Sequence, residues 1–240
     1  MPRQNDRSNH SMRPVRFERH FTTSAPGSVL ASFGGTRVLC TAVVTDGVPA
    51  FLQGKGQGWL TAEYAMLPSS TQGRKARERA GKVDGRSMEI QRLIGRALRS
   101  VVDLKLVGER TIHLDCDVIQ ADGGTRTVSI SGVWVALCDL FTHMERRRQL
   151  RGWPLVSQVA AVSVGLVGGE VLCDLDYSED SRAEVDLNLV KNGDGRFVEV
   201  QGGGEGTTFA RDQLDALLAC GEEGIAQVLE AQRAALAVKT

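Results

Sequence analysis

The sequence has no C-x-x-C pair, and its four histidines and five cysteines form no zinc-ligand framework. Cys40, Cys116, Cys138, Cys173 and Cys220 are odd in number and mostly sit in apolar contexts, as buried small hydrophobes do. That pattern speaks against a disulfide scaffold and for a reducing, cytoplasmic setting. No apolar signal region opens the chain, and no apolar run is expected to reach membrane-spanning length, so a membrane partner is not expected. Net charge is absent as well. The 29 Lys and Arg balance the 29 Asp and Glu, so bulk electrostatics do not call for nucleic acid.

What is present is an ordinary globular composition: 240 residues, 42% hydrophobic and 24% charged, with 27 glycines. The charge is strongly segregated. Nine basic residues lie between Arg74 and Arg99 against three acids, whereas residues 168–240 carry fifteen acids against six bases. Such a chain offers one region to anions and another to a cation or a basic surface.

Residues 1–12 read as a disordered N-terminal segment. Strands are predicted over residues 28–33 and 37–44, joined as a hairpin at Gly34-Gly35, and over 58–66 and 111–119. A polar, basic stretch from Ser69 to Asp84 reads as a loop. Apolar spacing predicts helices over about residues 87–104 and from about Thr125 onward. Four further strands (159–167, 170–175, 183–191, 196–201) precede a C-terminal helix over 208–238, with a break expected near Gly221–Gly224. The order implies an α+β fold of two β-rich halves, each closed by helices.

Two stretches carry chemistry. Gly123-Gly124-Thr125-Arg126 lies between a strand and a helix. The glycines leave amide N–H groups uncovered where the helix dipole favours an anion, and Arg126 matches a phosphate bidentately. An ordinary glycine turn with a threonine cap uses the same residues. The second stretch is acidic. Glu184, Asp186 and Asn188 alternate with Val185, Leu187 and Leu189, and Asp180 stands where a turn can bring it beside Asp186. Paired carboxylates suit a hard cation such as Mg²⁺, although a solvent-facing strand has the same pattern. Together, a phosphate cradle and a carboxylate pair point to phosphoryl chemistry. The arginines between Arg74 and Arg99 supply the unspecific neutralisation a polyanion needs.

The segments Gly58–Pro68, Gly85–Arg99, Gln120–Thr127, Glu179–Asp186 and Gln201–Phe209 resemble, in order, the RNase PH family of phosphate-dependent 3′ exoribonucleases. The resemblance spans about Arg13 to Leu236. It implies a single RNase PH domain over residues 13–240, of the ribosomal protein S5 domain 2-like type, with mixed sheets in two βαβα-type halves and helices packed between them. It also implies phosphorolytic trimming of tRNA precursor 3′ ends and other RNA, and a homohexamer built as a trimer of dimers. By the resemblance, Arg86, Gly124, Thr125 and Arg126 hold inorganic phosphate, the co-substrate. Asp180 and Asp186 are catalytic and hold Mg²⁺ or Mn²⁺. Arg74, Arg77 and Arg79 meet RNA, and Arg92 and Arg96 on the following helix are assigned to the same path. Gly203-Gly204 and Leu189-Val190-Lys191 depart from the usual pattern. A catalytically inactive RNA-binding ring subunit of exosome type is the alternative.

Overall fold

Alternating apolar residues build the first layer. In the computed structural model, which describes residue 3 and residues 6–77 and 84–238, five strands form one sheet. They are β1 (Val15–Arg19), β2 (Gly27–Phe33), β3 (Thr36–Asp46), β4 (Trp59–Met66) and β5 (Arg110–Gln120), in the order β1-β2-β3-β5-β4. Only β4 and β5 run parallel; the other pairs are antiparallel. Val29, Ala31, Val38, Cys40, Leu60, Ile112 and Leu114 point to one face and are fully buried. The helix α1 (Gly85–Arg99) covers β4 with Ile90, Leu93, Ile94, Ala97 and Leu98. Its first turn is capped by the Asp84 carboxylate, which accepts from the Arg86 amide.

A short α2 (Leu104–Val107) precedes β5, and α3 (Thr125–Arg146) follows it. By length and composition α3 is apolar enough to cross a membrane, contrary to the reading of the sequence. The reason is its place: it packs on β2 and β3 of the first sheet and on β6 of the second, so nearly its whole circumference is core. The second sheet holds β6 (Val159–Val167), β7 (Glu170–Cys173), β8 (Val185–Asn192) and β9 (Phe197–Gly204), all antiparallel, in the order β7-β6-β8-β9. A one-turn helix, α4 (Tyr177–Asp180), links β7 to β8, and α5 (Arg211–Ala237) closes the outer side of β6.

Three expectations change. The C-terminal helix does not break at Gly221–Gly224; α5 runs straight through. A β-carbon at Gly221 would overlap Leu189 and lie 3.2 Å from Val164 Cγ1, so these glycines let the helix approach the sheet. The edge strand β1 escaped notice because charged residues interrupt its short alternation. The described part of the N-terminal segment is packed rather than disordered: Met12 joins the core, and the Cys173 amide donates to the Asn9 carbonyl at 2.7 Å. Its polar residues had concealed this, because their partners are acids more than 160 positions away. All five cysteines are free and buried.

Candidate active site

The turn before α3 is built from two left-handed glycines, Gly123 at φ 77° and Gly124 at φ 66°. Among the described residues no side chain caps α3, so its first amides and the positive end of its dipole remain available to an anion. The turn is fastened from behind. Thr36 Oγ1 accepts from the Asp122 amide at 2.8 Å and donates to the Gly123 carbonyl at 2.6 Å. The Arg13 guanidinium donates to the Asp122 carbonyl. Thr125 points inward, and its hydroxyl lies 2.8 Å from that of Tyr64. Burial raises the Tyr64 phenol above its ordinary pKa, opposed by this hydrogen bond and by the Arg86 charge.

Asp186 sits on β8 opposite Gly165 of β6 and Gly203 of β9. A β-carbon at Gly203 would meet nothing within 4 Å, so that neighbour leaves the carboxylate uncovered. Asp180 closes α4. The residue is exposed, but partial desolvation raises its carboxyl above the ordinary range, and the Asp186 charge adds to this, while Arg86, Arg126 and Arg13 oppose it. Charged groups from α4, β8, α1, α3 and the N-terminal segment therefore share one electrostatic neighbourhood. Among the described residues no group of three or more His, Cys, Asp or Glu could hold a metal ion. The pair thus suits only a cation that takes most of its ligands from water or phosphate, as Mg²⁺ does. The mutual repulsion of the two carboxylates is what such a cation would relieve.

The other residues named from the sequence divide. Arg86 is exposed at the first turn of α1. Arg126 Nη1 donates to Gln201 Oε1 at 3.0 Å and Glu89 Oε1 at 3.3 Å, and Gln201 Nε2 donates to the same Glu89 oxygen at 2.8 Å. Arg74 and Arg77 are exposed in the loop after β4; Arg79 lies outside the described residues. Arg92 is exposed on α1, whereas Arg96 is paired with Glu199 at 3.1 Å. Glu184 turns away to accept from the Gly168 amide at 3.0 Å. Sequence reasoning missed Tyr64, Glu89, Gln201 and Arg13. Inward alternation along β4 marks Tyr64; for the others no local signal exists, since their partners are distant in the chain.

Comparison with known proteins decides what this arrangement belongs to. Residues 11–141 match domain 1 of the RNase PH model, described as the 3′ exoribonuclease family, and residues 157–224 match domain 2. The chain belongs to the 3′ exoribonuclease family. In this family member the candidate site draws Arg86 and the glycine turn from the first matched segment, and Asp180 and Asp186 from the second. Solved structures share the fold of the 3′ exoribonuclease chain. Rice (Oryza sativa) Rrp46 is 17% identical, with 96% of this chain and 98% of that one covered at a TM-score of 0.77. A chain of the Archaeoglobus fulgidus exosome with RNA bound to the active site is 22% identical, covering 95% of this chain and 91% of that one at 0.78. A chain of an archaeal exosome core is 20% identical, covering 95% and 89% at 0.75.

Proposed function

We propose that this protein is a phosphate-dependent 3′–5′ exoribonuclease that trims the 3′ ends of tRNA precursors and other RNA. What supports the reading is that the charges of Asp186, Arg86 and Arg126 act on the Asp180 carboxyl, and that α3 begins without a side-chain cap after its glycine turn. Arg86, Arg126 and the amides of the Gly124–Arg126 turn bind inorganic phosphate, which is already anionic at neutral pH and needs no base. A phosphate oxygen attacks the phosphorus of the terminal 3′–5′ linkage. The new P–O–P bond forms as the P–O3′ bond breaks, and the departing 3′ oxygen takes up a proton. The products are a nucleoside 5′-diphosphate and an RNA one nucleotide shorter. The bond exchanged resembles the bond made, so excess nucleoside diphosphate drives nucleotide addition.

Asp180 and Asp186 would hold Mg²⁺ or Mn²⁺, which when bound supplies charge neutralisation at the attacked phosphoryl group. Tyr64 orients Thr125, and Glu89 with Gln201 fixes the Arg126 guanidinium, so the phosphate side of the site is pre-organised. Arg74, Arg77, Arg79 and Arg92 meet the RNA backbone without reading sequence, with Arg96 beside them at the rim. The reading includes a homohexamer, for which the likeness to exosome chains supports assembly with other chains, and a cytoplasmic setting, which the free buried thiols support.

An inactive RNA-binding ring subunit is the second reading, favoured by one observation: part of the Arg126 guanidinium is occupied by Glu89 and Gln201. A single assay decides. Incubated with 3′-labelled RNA, the enzyme should release nucleoside diphosphates only when phosphate is present. Monophosphates would indicate hydrolysis, and no product would indicate the inactive subunit.

A further inference from the structure

Arg3 and Arg7 of the N-terminal segment, with Arg13 directly after it, face the carboxylates of Asp174, Asp176 and Glu179 at and before α4, and all six are nearly buried. Side-chain exposure is 5% for Arg3, 7% for Arg7 and 5% for Arg13, against 0% for Asp174, 1% for Asp176 and 5% for Glu179. Arg3 forks onto Glu179 through Nε at 2.7 Å and Nη2 at 2.9 Å. Arg7 donates to the same carboxylate at 3.2 Å and to the Asp174 carbonyl at 3.1 Å. Arg13 forks onto Asp174 at 2.9 and 2.7 Å, and its backbone amide adds a third bond to that carboxylate at 2.8 Å.

Buried ion pairs of this kind seldom add stability over apolar residues of similar volume, because desolvation offsets the Coulombic gain. What they fix is geometry, and here the groups they fix flank the candidate site. Glu179 is adjacent to Asp180. Arg13 grips the Asp122 carbonyl and lies 3.5 Å from that of Gly123, so it holds the phosphate turn. Asp122 Oδ1 in turn accepts from the Tyr177 amide at 3.3 Å, closing a circuit from turn to α4. A helix of one turn has no stability of its own. Its position rests on its capping box, in which Asp176 accepts from the Glu179 amide at 3.0 Å and the Asp176 amide donates to Glu179 at 3.1 Å, and on the arginines behind it. Asp174 also holds a left-handed backbone at φ 53°, a conformation that persists in a non-glycine residue only where its surroundings impose it.

We propose that the N-terminal segment is a positioning element of the active site: Arg13 sets the phosphate turn, and Arg3 with Arg7 sets Asp180 through Glu179. The proposal rests on the phosphorolytic reading for what is positioned, but not for whether it is. Arg13→Lys keeps the charge opposite Asp174 and loses the fork, and Arg3→Ala strips the forked pair from Glu179 and leaves it Arg7 and the Asp176 amide. Amide hydrogen exchange on the full-length protein should rise about tenfold over residues 122–126 in Arg13→Lys and over residues 177–183 in Arg3→Ala, with β3 and β5 unchanged. In phosphorolysis of an oligoribonucleotide, Arg13→Lys should raise the KM for phosphate about tenfold and leave that for RNA within about twofold. Arg3→Ala should raise the Mg²⁺ concentration at half-maximal rate by a similar factor. Arg3→Lys should recover part of that loss. Exchange that rises uniformly or not at all, or a fall in kcat with both half-saturation values unchanged, would overturn the proposal. A wild-type protein that releases no diphosphate would overturn the functional reading instead, and exchange at the two segments would still decide whether the segment positions them.

Discussion

A β-carbon on Gly123 would overlap the carbonyl oxygen of Leu175 and come within 2.8 Å of the Asp176 carbonyl carbon. The turn before α3 therefore lies directly on the backbone that leads into α4. This contact puts the N-terminus of α3 beside the segment leading into α4, which ends at Asp180. It also explains why glycine is needed at position 123 twice over, for its left-handed φ and for the missing side chain.

Gly123→Ala should accordingly cost about 2–4 kcal/mol of stability, combining backbone strain with a backbone overlap. Urea unfolding measures the loss. An unchanged midpoint would mean that the two halves can separate at the turn without penalty.

Asp186→Asn should remove turnover while leaving RNA binding intact, and Arg126→Ala should raise the phosphate requirement about tenfold or more. Phosphorolysis rates and RNA affinity, measured side by side, separate the two. Near-normal phosphorolysis in Asp186→Asn would take the carboxylate out of the chemistry. An Arg126→Ala enzyme impaired only in RNA affinity would move that arginine to the RNA path.

Tyr64→Phe removes the partner of the buried Thr125 hydroxyl, 2.8 Å away. A loss of about 1–2 kcal/mol is expected for the unpaired group. The phosphate KM should rise more than the RNA KM, since Thr125 opens α3 beside the turn. Thermal unfolding and steady-state kinetics check both parts.

Replacing Arg74 and Arg77 by alanine should weaken structured tRNA more than short oligomers. The slope of log affinity against log salt should become shallower by about 0.7 for each single-strand phosphate that the protein no longer neutralises. A slope that does not change would place these exposed residues off the RNA path.

Stability should respond to pH through Asp117. Asp117 is exposed on β5, yet partial desolvation raises its carboxyl above the ordinary range, and the charges of Asp115 and Glu63 add to the effect. Its protonated form is therefore favoured in the folded protein. The stabilising contribution is complete below about pH 4, the ordinary carboxylate value, and is lost as pH rises through the elevated value. Asp117→Asn should thus melt higher than the wild type at neutral pH and match it below about pH 4. Equal melting temperatures at neutral pH would show that the repulsion is fully screened.

Much of this protein could be read along the chain. The hairpin of β2 and β3, the amphipathic α1, the parallel strand β4 and the strands of the second sheet follow from alternation and helical spacing, which act over a few residues. Residue type and spacing made Asp180, Asp186 and the Gly123–Arg126 turn candidates, but an ordinary cap and a solvent-facing strand fit the same pattern, and the family resemblance singled them out. The N-terminal segment, by contrast, looked disordered because it is polar and short of apolar residues, while the partners that bury Arg3 and Arg7, Asp174 and Glu179, lie more than 160 positions away. The expected break at Gly221–Gly224 failed for a related reason: glycine marks flexibility locally, but Leu189 and Cys173 lie against that face of α5.

Periodicity and turn chemistry are local, so the longer elements, though not β1, α2 or α4, and the candidate groups came from the chain alone. Which carboxylate meets which arginine is a matter of long-range packing. The Arg126–Glu89–Gln201 hydrogen bonds and the Arg13–Asp174 clamp exist only once α3 is enclosed between the two sheets. Low-dielectric surroundings then make those charges act on one another, and no spacing along a chain encodes that.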